Sequence, residues 1–148
     1  MKAFRPLKGQ WLLKEHTLVG SAGAVEIGDM IQITSGGITV ALGTNSATAI
    51  IGIAAEALAN ATATQTIRIW EPATQSCTFV GVVSDGAIAV GDTDSNRTCD
   101  LEDHAGVDTD TDSHHHLIIV KGRVACADAG TGEGEFRIAQ RLENLNSF

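Results

Sequence analysis

A chain of 148 residues, 43% of them apolar, is long enough to bury one core or two small ones without disulfide or metal staples. Aromatics make up only 4% and Tyr is absent, which argues against a stacking surface for sugars or bases and leaves the core to Val, Ile, Leu and Ala. The net charge of −8 disfavours nonspecific nucleic-acid binding, and no apolar run approaches the ~18 residues of a membrane-spanning helix.

The chain opens on a basic stretch. Lys2, Arg5, Lys8 and Lys14 face only Glu15, so residues 1–17 read as an extended N-terminal arm on an acidic body spanning 18–148. Phe4, Pro6 and Trp11 would be exposed on an isolated arm. They are therefore expected to dock, either on the protein's own surface or on a neighbouring subunit. No apolar stretch precedes a small-residue cleavage site, so no secretory signal is expected.

The body reads as strands. Met30-Ile31-Gln32-Ile33-Thr34 alternates with period two and stops at Ser35-Gly36-Gly37, and Ile38-Thr39-Val40-Ala41-Leu42 alternates again, which together predict a hairpin. Ala49 to Ala54 is a continuous apolar run of strand length, expected to be buried on both sides. Residues 54–64 are rich in Ala and Thr and read as a loop with room for a short helix. Thr66 to Trp70 alternates and ends near Pro72, Cys77 to Val83 is a strand closed by Asp85-Gly86, and 117–120 and 135–139 complete the set. Short strands with Gly-rich turns give an all-β fold, a small antiparallel barrel or sandwich.

Nine acids and one base, Arg97, lie between Asp85 and Asp112. The segment from Asp100 to His116 reads as a solvated polar loop. Asp108-Thr109-Asp110-Thr111-Asp112 starts like a calcium loop, but Ser113 and Ile119 stand where the motif needs Gly and a bidentate Glu. Three successive histidines, His114 to His116, cannot all face one side of a strand. Cys77, Cys99 and Cys126 are widely spaced without a C-x-x-C, and read as reduced, partly buried residues. There is no nucleophile elbow, phosphate loop or zinc-protease motif, and Gly130 to Gly134 reads as a hairpin turn. No catalytic residue, cofactor or metal ligand is assigned.

Ser21 to Asp29 and Ser84 to Asp92 both read S-x-G-A-[VI]-x-[IV]-G-D, with five of nine positions identical. Each copy precedes an apolar strand, at Ile50-Ile51-Gly52-Ile53 and Ile118-Ile119-Val120, and then a strand with Arg-Ile, at Arg68-Ile69 and Arg137-Ile138. Two halves, 18–80 and 81–148, are expected to repeat one topology, as two lobes or as one closed barrel. In each copy the Gly-Asp places an abrupt bend before the next strand.

The order V-E-I-G-D-M-I-Q-I (25–33), G-I-T-V-A-L (37–42), A-I-I-G-I-A-A-E-A (49–57), T-I-R-I-W-E-P (66–72) and a second G-D unit resembles the small β-rich decoration (cement) proteins of tailed-phage heads, over roughly residues 20 to 140. The resemblance implies a non-enzymatic virion protein on the outer capsid surface. Its partners would be the major capsid protein and itself, as a homotrimer, with no direct nucleic-acid or membrane contact. It implies clamping of adjacent capsid subunits, with Phe4, Arg5, Pro6, Lys8 and Trp11 as the neighbour-contacting residues. A head–tail joining or tail protein, or a host-surface glycan-binding module, are the alternatives.

Overall fold

The computed structural model describes residues 4–19, 23–44, 46, 49–61, 65–74, 76–127 and 132–139. These form strands and turns and no α-helix. The strands are β1 (Phe4–Lys8), β2 (Trp11–Thr17), β3 (Gly23–Val25), β4 (Met30–Thr34), β5 (Gly37–Val40), β6 (Ile50–Ala54), β7 (Leu58–Ala61), β8 (Thr66–Pro72), β9 (Thr78–Asp85), β10 (Thr98–Asp103), β11 (Gly106–Asp108), β12 (Leu117–Val124) and β13 (Gly132–Ile138). The all-β expectation agrees with this.

Two sheets carry the architecture. One has the order β2-β8-β6-β4-β5, and the other β1-β9-β11-β10-β12-β13. In the second, β13 also pairs with β9, so five strands close on themselves and β1 is added on β9. The closure places β11 parallel to β9; the other named pairings are antiparallel. The first sheet curls the same way but, among the described residues, closes only at one point, a parallel bridge between Leu18 and Ile38 in which Val19 N–H reaches Ile38 O at 3.0 Å.

The repeated sequence segments occupy equivalent places in these two barrels. Gly23 and Gly86 both take left-handed φ, +70° and +87°, as do Gly28 and Gly91, +95° and +98°. Only glycine adopts that backbone without strain, which explains its recurrence at fixed spacing. Val25 lies opposite Leu58, and Ile88 opposite Cys126. Gly28 N–H bonds Ala54 O at the end of β6, and Gly91 N–H bonds Gly122 O on β12. The hairpins β4–β5 and β10–β11 follow, and each packs antiparallel on its partner, β6 or β12. The two Arg-Ile pairs are not in register, however. Ile69 lies opposite Ala54, whereas Ile138 lies opposite Leu117 at the far end of β12. Ser21 and Ala22 of the first copy lie outside the described residues.

Two apolar clusters fill the barrels. Leu18, Val25, Ile31, Ile38, Ile51, Ile67 and Ile69 form the first barrel's interior. The second cluster joins Phe79, Val83, Leu101, Leu117, Ile119 and Phe136 to Met30, Ala41, Ile50 and Ile53 from the wall of the first barrel. The halves are thus fused through shared core rather than linked as separate lobes. Each fully buried side chain of this size contributes about 1.5–3 kcal/mol. At Gly52 an added Cβ would sit 2.1 Å from Trp70 O, so only glycine lets β6 press this close to β8.

Four local expectations differ from the structure. Residues 4–17 are extended, but as two strands seated on separate sheets rather than as a free arm. The described part of the Ala-rich stretch, 54–61, contains β7 and no helix, because pairing with β3 supplies backbone partners that Ala and Thr side chains do not signal; 62–64 lie outside the described residues. Of the turn expected over Gly130 to Gly134, Gly132 to Gly134 lie inside β13, and Gly130 and Thr131 lie outside the described residues. An added Cβ there would meet Cys126 Sγ at 2.3 Å or Phe136 Cζ at 2.7 Å, so these glycines make room for core side chains. Finally, 100–116 is not a solvated loop: β10, β11 and the buried Asp100, Asp108 and His116 lie within it.

Candidate interaction surface

The N-terminal residues separate into two groups. Phe4 is 1% exposed and lies opposite Gly81, its ring edge-on to Phe79. Trp11 also meets Phe79 edge-on, and its Nε1–H donates to Lys8 O at 3.0 Å. These two rings dock on the protein's own body. Pro6 is half-buried opposite Phe79. Arg5 and Lys8 stay exposed on the outer face of β1.

That face meets two cations far away in sequence. Leu7, Lys8, Val90, Lys121, Arg123 and Glu135 line an open depression of ≈ 430 Å³. The register explains the meeting. Lys8 lies opposite Thr78 on β9, β9 runs beside β13, and Glu135 of β13 lies opposite Lys121 of β12. Glu133 Oε1 pairs with Arg5 at 3.3 Å and Arg123 at 3.7 Å, and Glu135 Oε1 stands 3.6 Å from Lys8 Nζ. Four cations against two carboxylates leave this patch positive on a chain that is negative overall. Glu135 is almost fully buried and its Oε1 accepts no hydrogen bond. Exposed Leu7 and Val90 add apolar rim. Lys121 and Arg123 carried no local signal in the sequence, since β12 reads simply as an apolar strand that ends in charge.

A second cluster is built for structure. Asp100, 1% exposed, accepts hydrogen bonds from the backbone N–H of Ser113, His114 and His115 and from His114 Nδ1. Burial alone pushes its carboxyl up; the His114 side chain and the His114 and Ser113 N–H groups together reverse that and hold it below the usual carboxylate range. His116 is fully buried and its Nδ1 accepts from Leu101 N–H at 3.0 Å, so that nitrogen carries no proton. His114 and His116 stack at 5.3 Å and 6°, while His115 turns away with φ +55° and meets Asp112. The three histidines precede β12, so the left-handed backbone at His115, not strand alternation, leaves His114 and His116 facing each other.

Carboxylate oxygens of Asp85, Glu102 and Asp108 lie within 4.8 Å of one another. Asp108 Oδ1 is committed to Asp110 N–H and Thr111 N–H, which makes it a turn former. Burial and then the neighbouring Asp108, Asp85 and Asp103 push the Glu102 carboxyl up. The cluster puts negative charge at the end of β9 remote from Lys8.

Cys99 is buried, which pushes its thiol up to about 12. The histidine–acid pairs His16–Glu71, His104–Asp29 and His114–Asp100 each join strands or turns of the fold. No protein-family model matches this chain, and comparison with curated proteins and with solved structures finds no match.

Proposed function

We propose that the protein is a structural virion component that binds the outer surface of a mature phage capsid and stabilises it by clamping neighbouring capsid subunits. The observation that carries this reading is the positive, apolar-rimmed depression around Lys8, Lys121 and Arg123 on a rigid, otherwise acidic body. A fused double barrel deforms little under load, and a cationic patch beside exposed Leu7 and Val90 suits contact with an acidic protein surface. The sequence resemblance supplies the identity of that surface, the major capsid protein, and the homotrimer as the working form. Arg5 and Lys8 remain in the contact set, joined by Lys121 and Arg123, while Phe4 and Trp11 act by holding β1 in place.

Co-sedimentation with expanded and immature tailed-phage shells tests it. Saturable binding to expanded shells is expected, weakened by Lys121→Glu with Arg123→Glu and unaffected by Lys14→Ala on the opposite sheet. Equal retention on both shell forms, or no loss with the double substitution, overturns the reading. Light scattering checks the trimer.

A further inference from the structure

The two barrels share one strand order but differ at one edge, and that difference points to a binding site. In the closed barrel, β9 carries β1 along residues Thr78 to Gly81, on the side away from β13. The strand equivalent to β9 in the first barrel is β2. The correspondence follows from the pairings: Leu13 lies opposite Trp70, which lies opposite Ile53, while Val80 lies opposite Glu135, which lies opposite Lys121. Ala54 and Gly122, the next residues, receive the equivalent Gly28 and Gly91 N–H groups. Leu13 therefore matches Val80, and Lys14 matches Gly81.

Nothing among the described residues pairs with β2 on the side away from β8 between Leu12 and Glu15. The barrel closes only further along, at Leu18 and Ile38. Exposure follows that opening. On the face that β2 shares with Ile67 and Ile69, Leu18 is buried, His16 and Leu12 are half-buried and Lys14 is exposed. An unpaired strand edge is a template for another strand.

The chemistry of the missing strand can be read from its counterpart. At Gly81 the covering strand places Phe4, whose ring lies where a Cβ would be, 2.6 Å from Cε1. At the matching position the first barrel has Lys14, for which the described residues supply no ion-pair partner. Next to it Leu13 is 43% exposed on the other face. We propose that the edge of β2 from Leu12 to Glu15 accepts an extended segment of another protein, antiparallel to β2, with an acidic residue opposite Lys14 and an apolar one opposite Leu13. The N-terminal segment, on this view, is not the donor of a strand to a neighbour; β1 is spent inside the chain, and β2 is the receiver. The site stands on strand pairing alone and does not require the capsid reading.

The test uses the full isotope-labelled chain and a blocked probe peptide, acetyl-Val-Thr-Glu-Val-Thr-Val-amide, followed by amide NMR and hydrogen exchange. In the free protein the amides of Leu12 to Glu15 that do not bond β8 are expected to exchange fast, unlike those of Thr78 to Gly81. The peptide is expected to shift and protect the Leu12 to Glu15 amides. A version with Lys in place of Glu should bind about fivefold more weakly, the effect of one exposed charge pair. Lys14→Glu should invert that preference, and a backbone N-methylated peptide should not bind. Slow exchange along β2 in the free chain means that the edge is already covered and overturns the proposal. So does an absence of shifts at Leu12 to Glu15, binding of the N-methylated peptide, or a preference that Lys14→Glu leaves unchanged. The assay contains no shells, so its failure leaves the capsid reading standing.

Discussion

Phe4 meets Phe79 edge-on, with ring centroids 5.7 Å apart and planes at 75°, so the side chain that opens β1 belongs to the central core. Edge-to-face pairs add about 0.5–1.5 kcal/mol beyond burial. Phe4→Ala is expected to cost about 3–5 kcal/mol in chemical denaturation. Removal of residues 1–14 takes away β1 and half of β2, and circular dichroism of that truncation should show loss of the fold rather than a folded body lacking an arm.

Gly52 and Gly91 are both small for a reason, but the reasons differ. At Gly91 an added Cβ meets nothing within 4 Å, and only the left-handed φ is unfavourable. Gly91→Ala should cost about 1–2 kcal/mol. Gly52→Ala drives a methyl into Trp70 O and should cost about 3 kcal/mol or more. Thermal unfolding of the two variants side by side checks the order; a Gly52→Ala protein as stable as Gly91→Ala contradicts the close β6–β8 approach.

Asp100 sets an acid limit. Its folded carboxyl lies below the usual range, so it contributes stability that is fully present above its unfolded value, about 3.9, and is lost as pH falls through the lower folded value. Asp100→Asn leaves three backbone N–H groups competing for one neutral carbonyl and should cost about 2–4 kcal/mol near neutral pH. The gap between wild type and variant should narrow below pH about 4. A gap that is constant from neutral pH to pH about 3 contradicts the assignment.

The three thiols should separate by reactivity. Cys99, with its thiol pushed up to about 12 by burial, and buried Cys77 should resist iodoacetamide in the folded protein, while half-exposed Cys126 reacts first. Peptide mapping after timed alkylation checks this; early labelling of Cys99 would place it at a surface that the fold does not give it.

Much of the sheet framework was readable because one-face burial writes itself as alternation. β8 shows it, the continuous apolar run of β6 is buried along its whole length, and the two G-D segments announce paired left-handed glycines. What escaped the sequence has a common cause. β1 and β2 carry polar residues at edge positions, where a strand needs backbone partners on one side only, so their pattern looks like that of a tail. β10 and β11 hide Asp100 and Asp108 in the fold, because backbone N–H groups solvate those carboxylates and no side-chain pattern reports it. The cationic depression joins β1 to β12 through β9 and β13, a contact that only the closed sheet creates. The Arg-Ile pairs show the opposite failure: a real sequence match on equivalent strands that falls out of step in space.

Met30, Ile50 and Ile53 sit in one cluster with Phe79 and Phe136, so neither barrel can rotate against the other without exposing the core they share. A tug on one barrel is therefore felt at once by its twin, and the molecule resists shear as a single brace.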